Sequence, residues 1–347
     1  MKTTVLIKSI LCSAVALLLC CGVDAAPKKE KKEAAKKTFR VLYWNIQNGM
    51  WDGQGDNYDR FVAWVNEKKP DICIFCEAST IFYTGTAKAM PKKERYLPDH
   101  WGELCARWGH TNWFKSAQRD NYPQVVTSRF PIDSIAGFVG VKPDTVVSHA
   151  AGWCQVHVPG VEKPLNIITA HPRPFAYGPN CDKGLHGEAK KAARDASANL
   201  YEGEVHRRKE VEFICNHTIR TDADAKDNLW IFAADFNAVS RKDNFKYRYN
   251  EASMSFYSQD YMIGADSPFY DLVAESFPGI MCGSIGKNRR IDFFYVTKPL
   301  LNACKNVDPN TDSYTNRWKD EPQISNFWHP SDHFPIIVDF TVSKLNK

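Results

Sequence analysis

The chain is expected to be an α/β protein built on large mixed sheets, and three features of its 347 residues lead there. Short apolar runs such as that within DICIFCE (71–77) have the length and character of strands buried on both faces. A strand–helix–strand pattern opens the chain and recurs in its second half. Composition is ordinary for a globular protein, 44% hydrophobic and 24% charged, which excludes disordered, collagenous and coiled-coil classes.

In chain order, FRVLYWN (39–45) is a short strand. Asp59 to Lys68 places Phe61, Trp64 and Val65 on one face of a helix, and DICIFCE is the strand that follows. QVVTSRFPI, IAGFVGV and GWCQVHV are shorter strand candidates, and LNIITAH is another strand. GEVHRRKEVEFICNHTI is a helix candidate leading into the strand NLWIFAADFN, and RRIDFFYVT and FPIIVDFTV close the chain. Pro172 to Gly203 and Arg241 to Pro268 look like insertions, the first polar, the second rich in aromatics. No internal repeat or second domain boundary is evident.

The formal charge of +5 suggests a phosphate polymer until it is located. Residues 1–25 carry +1 and the run APKKEKKEAAKK (26–37) carries +4, so residues 38–347 are neutral. Lys2 and Lys8, the apolar stretch Ile10 to Cys21, and Val23-Asp24-Ala25 together read as a signal peptide cut after Ala25. The apolar run is shorter than the ~20 residues a membrane span needs. Lipid attachment at Cys20 or Cys21 ranks second, because Leu19 or Cys20 stands where such processing normally wants a small residue. The tail 26–37 reads as a solvated spacer, and residues 38–347 as one exported domain, periplasmic or extracellular, expected to act as a monomer. Eight of eleven cysteines remain after the leader, which allows 105 pairings. Cys73 and Cys76 have C-x-x-C spacing without the second pair a metal site would want, so both read as strand core.

Polar groups gather where these strands end. Asn45 follows Trp44, Glu77 ends DICIFCE, and His171 ends NIITAH. Asp235 and Asn237 end IFAADFN two residues apart, so on a strand they face the same side. Asp292 lies early in RIDFFYV, and Asp332-His333 precedes the last strand. Any one of these could merely mark a chain leaving a sheet. Their recurrence at one structural position points to an assembled site, because α/β sheets build their sites at strand ends.

WNIQNG, the CEA glutamate, SRFPI, TAH, ADFN, RIDFFYV and SDHFPI, in that order, resemble the endonuclease/exonuclease/phosphatase superfamily, whose fold is that of pancreatic deoxyribonuclease. The resemblance spans residues 39–342 and implies a four-layer sandwich: two mixed β-sheets packed face to face with helices on the outside. It further implies Mg²⁺ or Mn²⁺ held by Glu77, with Asn45 and Asp332 completing the site directly or through water; hard divalent cations prefer such oxygen ligands. By the same resemblance Asp235 positions or deprotonates the attacking water, and Asn237 holds that water or a phosphate oxygen. His333, held by Asp292, acts in acid/base catalysis or donates to the phosphate, and His171 donates to a non-bridging oxygen or assists the leaving group.

Three departures stand out. Gln47 replaces an acidic residue common in the family's nucleases, His171 is followed by Pro-Arg-Pro, and Tyr122 is the one candidate for the tyrosine of the apurinic/apyrimidinic endonucleases. The expected function is hydrolysis of a phosphate ester, most readily a diester, with nucleic acid, phospholipid head groups and sugar or inositol phosphates as substrate classes. Nucleic acid remains open but is not indicated by charge; Arg173, Arg289 and Arg290 could contact phosphates, though each alone reads slightly better as ordinary surface charge. A non-catalytic ligand-binding protein on the same scaffold is the alternative.

Overall fold

A computed structural model describes residues 37–50, 57–79, 100–117, 122–139, 146–174, 183–199, 202–285, 288–309 and 331–346. The leader, its cleavage site, Cys20 and Cys21, and the spacer lie outside the described residues, apart from Lys37.

Among the described residues, twelve strands form two six-stranded sheets. The first has the order β11 (Cys304–Asp308), β12 (Ile336–Thr341), β1 (Thr38–Asn45), β2 (Ile72–Cys76), β4 (Val125–Ser128), β3 (Asn112–Lys115). The second has β5 (Ile132–Phe138), β6 (Ala151–Val156), β7 (Leu165–Ala170), β8 (Leu229–Asp235), β10 (Asp292–Val296), β9 (Tyr270–Asp271). Each sheet has one parallel pair, β1 with β2 and β7 with β8, flanked by antiparallel neighbours. The sequence shows no repeat, yet the two sheets share this plan.

Strand periodicity sorts side chains into layers. Val41 and Tyr43 of β1 join Ile74, Ile167, Ile231 and Phe294 in the core between the sheets. Leu42 and Trp44, on the opposite face, pack with Cys73 and Phe75 beneath Phe61, Trp64 and Val65 of α1 (Asp59–Lys68) and Trp101 of α2 (Trp101–Ala106). On the far side Ile168, Trp230 and Phe232 are covered by Val211 and Ile214 of α4 (Glu202–Asn216). The order helix, sheet, sheet, helix is the four-layer sandwich. The C-x-x-C pair is strand core as expected: three apart, Cys76 faces the central core and Cys73 the helix layer. Every described cysteine is a free thiol.

QVVTSRFPI is not one strand. β4 stops at Ser128, whose Oγ accepts the Phe130 N–H at 2.9 Å, and after Pro131 the chain enters the other sheet as β5. Proline cannot donate to a ladder, so the crossover falls where a strand would lose a bond anyway. The expected insertions have structure of their own: α3 (Gly187–Asn199) in the first, and short helical turns ending in Tyr257–Met262 in the second.

His110, between α2 and β3, ties the first sheet together. Its Nε2–H donates to Pro70 O at 3.0 Å and its Nδ1 accepts from Thr127 at 2.8 Å, partners that select one neutral tautomer. Burial pushes its pKa down to about 4. Folded pKa below unfolded pKa means stability is full above pH 6.5 and lost as pH falls toward 4, by about 3 kcal/mol. Urea unfolding of His110→Gln, which keeps both hydrogen bonds, should show a correspondingly flatter acid limb; equal acid sensitivity of the two proteins contradicts this.

Candidate active site

Strand register brings the polar residues together before any side chain is considered. Asn45 lies opposite Cys76 in the parallel pair, so Glu77 emerges beside it. Ala170 lies opposite Ala234, so His171 emerges beside Asp235. Asp235 itself faces Asp292 across the antiparallel β8–β10 pair. The sheets then meet at this end: Asn45 Nδ2 donates to Asp235 Oδ2 at 3.0 Å and to Glu77 Oε1 at 3.2 Å, and the Tyr43 hydroxyl donates to Asp292 Oδ1 at 2.8 Å.

The last loop completes the cluster. Ser331 donates to Asn45 O at 2.7 Å and accepts the His333 N–H at 3.1 Å, while Trp44 Nε1 donates to His333 O at 2.9 Å. His333 Nδ1 is thereby set 2.7 Å from Asp292 Oδ2, with Nε2 3.8 Å from Asp235 Oδ2 and 3.6 Å from Asp332 Oδ1. His171 Nε2 lies 3.7 Å from both Glu77 Oε1 and Asp235 Oδ2. Glu77, Asn45, His171, Asp235, Asp292, Asp332 and His333 therefore form one connected group.

Its loops carry backbone strain. Gln47, Asn48, Gly49 and Met50 all have positive φ, as do Glu77 (56°) and Asn237 (52°). For residues other than glycine each such conformation costs roughly 1–3 kcal/mol. The strained turn is held by its target: the N–H of Asn48 donates to Glu77 Oε2 at 3.0 Å and that of Gly49 to Glu77 O at 2.8 Å.

Two expectations change in detail. Asn237 follows β8 rather than lying on it, so strand alternation does not orient it; its N–H donates to Asp235 Oδ1 at 2.9 Å and its Nδ2 to Pro172 O at 3.2 Å. The side chain thus links Asp235's loop to that of His171. Asn45 presents its nitrogen to the carboxylates, while its oxygen accepts the Gln47 N–H at 2.9 Å. Gln47 does not join the acids: its Oε1 accepts the Asp332 N–H at 3.2 Å and steadies the last loop.

Arg290 is neither surface charge nor a phosphate contact. It is 2% exposed, bonded to Asp243 at 2.8 Å and to both oxygens of Asp271 at 2.8 and 2.9 Å, and braces the start of β10. Tyr43, Ser331 and Ser284, whose Oγ accepts the Asp292 N–H at 2.9 Å, were not foreseen. Tyr43 had a signal, sitting two residues before Asn45 on the same strand face; the serines had none. His149 was also missed: its ring stacks on His171 at 4.7 Å, with Tyr122 edge-on to His171 at 5.9 Å.

Negative charge exceeds positive here. Burial first, then Asp292, pushes the Asp235 carboxyl well above the usual carboxylate range, and burial raises Glu77. Burial alone would lower His333, but the charge and hydrogen bond of Asp292, with Asp235 and Asp332, hold it well above an ordinary histidine. His171 is held low by burial, then by His149 and His333, and so is neutral. Asp332 Oδ1 is buried without a hydrogen-bond partner. Crowded carboxylate oxygens and an orphaned acceptor fit a hard divalent cation. Glu77, His171 and Asp235 offer ligand atoms within 4.8 Å of one another.

The family model described as "Endonuclease/Exonuclease/phosphatase family" matches residues 42–333. No curated protein matches the sequence. Among solved structures, an AP endonuclease from Archaeoglobus fulgidus is 14% identical, with a TM-score of 0.55, over 87% of this chain and 99% of that one. The 3′ phosphatase NExo from Neisseria, bound to a product DNA hairpin, is also 14% identical, with a TM-score of 0.52 and the same coverage. An endonuclease/exonuclease/phosphatase from Beutenbergia cavernae DSM 12333 is similar at 14% identity and a TM-score of 0.51, over 88% of this chain and 72% of that one.

If Glu77 is the principal cation ligand, Glu77→Gln should weaken Mg²⁺ binding at least about 10-fold in calorimetric titration, since the lost charge is not replaced. Unchanged affinity would remove Glu77 from the ligand set.

Proposed function

The chain belongs to the endonuclease/exonuclease/phosphatase family, and we propose that it is an exported, divalent-metal-dependent phosphodiesterase that hydrolyses its substrate by in-line attack of water. The observation that carries this reading is the unbroken line Tyr43–Asp292–His333, with Asp235 next to the His333 ring, beside the Glu77 carboxylate. A histidine anchored on Asp292 and held charged by Asp292, Asp235 and Asp332 is suited to acid/base work on a phosphate, which ligand binding alone does not call for. Export is supported by the leader, and lipid attachment at Cys20 or Cys21 is the lesser alternative.

Glu77 would hold Mg²⁺ or Mn²⁺, with Asp332 and Asp235 oxygens at hand; the bound cation neutralises phosphate oxygens and charge on the leaving oxygen. On the protein's side, Asp235 orients the attacking water and accepts its proton, fixed by bonds from Asn45 and the Asn237 N–H. His333, charged and anchored through Nδ1, presents an Nε2–H to a phosphate oxygen. Neutral His171 donates from the opposite side, where the leaving group departs. Positioning and electrostatics then supply the rate, without a covalent intermediate.

Two of the similar structures carry the words AP endonuclease and 3′ phosphatase in their descriptions. A body without net charge exerts no overall attraction on a polyanion, which favours small or head-group phosphodiesters over sequence-blind polymer binding. The test is a panel: protein cut after Ala25 and recovered from the exported fraction, assayed on bis(4-nitrophenyl) phosphate, DNA, RNA, sphingomyelin and glycerophosphodiesters. We expect hydrolysis with Mg²⁺ or Mn²⁺, abolition by chelator, and a loss of at least about 100-fold for Asp292→Asn. Absence of hydrolysis across the panel favours the binding protein.

A further inference from the structure

The two histidines of the site are held in opposite ways. His333 Nδ1 is anchored by Asp292 at 2.7 Å, whereas His171 Nδ1 is buried with no hydrogen-bond partner. A ring with no close bond of its own keeps its orientation through packing and through its backbone. The packing is aromatic: His149 lies on His171 at 4.7 Å and 24°, and Tyr122 tilts onto His149 at 4.7 Å. The backbone after His171 is fastened by side chains from three directions. Pro172 O accepts from Asn237 at 3.2 Å, Arg173 O accepts from Arg207 at 2.9 Å, and the Arg173 N–H donates to Glu210 Oε2 at 2.8 Å. The other Glu210 oxygen accepts the N–H of Ser148, the residue before His149.

The geometry points to Glu210 as a positioning residue of the site: one buried carboxylate on α4 fixes the stacked register of His149 and His171 by binding the backbone N–H groups of Ser148 and Arg173. A carboxylate offers one oxygen to each of the two N–H groups, and here each takes one: Ser148 on Oε1 and Arg173 on Oε2. Glu210 is 1% exposed and comes from the outer helix layer, so it touches no reacting group and acts through the two loops. Burial pushes its carboxyl up to about 7, against the pull of the two N–H groups; a residue serving packing alone would be apolar at this position. The inference rests on the hydrolytic reading above and adds the residue on which one wall of that site depends.

The test combines a mutant cycle with a measurement that needs no activity. Glu210→Ala should lower kcat on bis(4-nitrophenyl) phosphate about 10-fold or more, with KM changed less than about 3-fold, because the misplaced group acts on the reacting phosphate. In a His171→Ala background the same substitution should cost less than about 2-fold, since the ring it positions is gone. Equal losses in both backgrounds would mean a general structural role and overturn the inference. Imidazole ¹H–¹⁵N spectra supply the second arm: Glu210→Ala should shift the His171 ring signals as the stack with His149 is lost, leaving those of His333 in place. Unmoved His171 signals overturn the inference as well. Glu210→Gln, with one acceptor for two N–H groups, should move both readouts in the same direction and serves where the alanine variant does not fold. Should wild type hydrolyse nothing, the hydrolytic reading fails and the ring spectra alone decide the role of Glu210.

Discussion

The site depends on two buried carboxylates, Asp235 and Asp292, forced together at one end of the sandwich with Glu77 and Asp332 beside them. Asp235 and Asp292 face each other across neighbouring strands, an arrangement of like charges that is unfavourable unless compensated. Compensation comes from the opposite sheet: Asn45 donates to Asp235 and Tyr43 to Asp292. These bonds stitch the two sheets at the end where the chemistry sits, and they exist only if both sheets keep their register. Slipping β1 by one residue would turn Tyr43 and Asn45 to the helix side and take from each aspartate the donor that the opposite sheet supplies. The requirement to satisfy buried charge thus aligns the sheets as firmly as the apolar core does.

The surroundings follow from the same need. The positive-φ turn at 47–50 is costly, but it turns two backbone N–H groups toward Glu77. The loop at 331–333 is fastened through Ser331 and Trp44, so that His333 reaches Asp292 rather than solvent. Arg290 neutralises Asp243 and Asp271 just before β10, separating a purely structural charge cluster from the reactive one two residues later. The asymmetry between His333, fixed by a carboxylate, and His171, fixed by stacking and backbone, gives the two sides of the candidate site different tolerances to change.

The layers and the candidate site residues were legible in the sequence because each rests on a short-range pattern. Apolar strands with polar terminal residues can be read one at a time, and Asn45, Glu77, His171, Asp235, Asp292, Asp332 and His333 all stand at such ends. What was hidden depends on distant partners. Arg290 could not be told from a surface arginine, because Asp243 and Asp271 meet it only in the fold. Strand alternation could not orient Asn237, since β8 ends before it and its bond to Pro172 decides its direction. Glu210 and His149 give no local signal at all: one sits in a polar helix, the other in a loop, and only the fold brings them together. The split of QVVTSRFPI between two sheets was legible in part, through Pro131.

The central claim is that Asp235 and its neighbours deliver water directly to phosphorus. Single-turnover hydrolysis with enzyme in excess, in ¹⁸O-labelled water and on a phosphodiester made chiral at phosphorus with sulfur, tests it most directly. The account predicts one ¹⁸O in the product of that first turnover and inversion at phosphorus. Retention, or an unlabelled first-turnover product, would show that a residue of the protein attacks first and would contradict it.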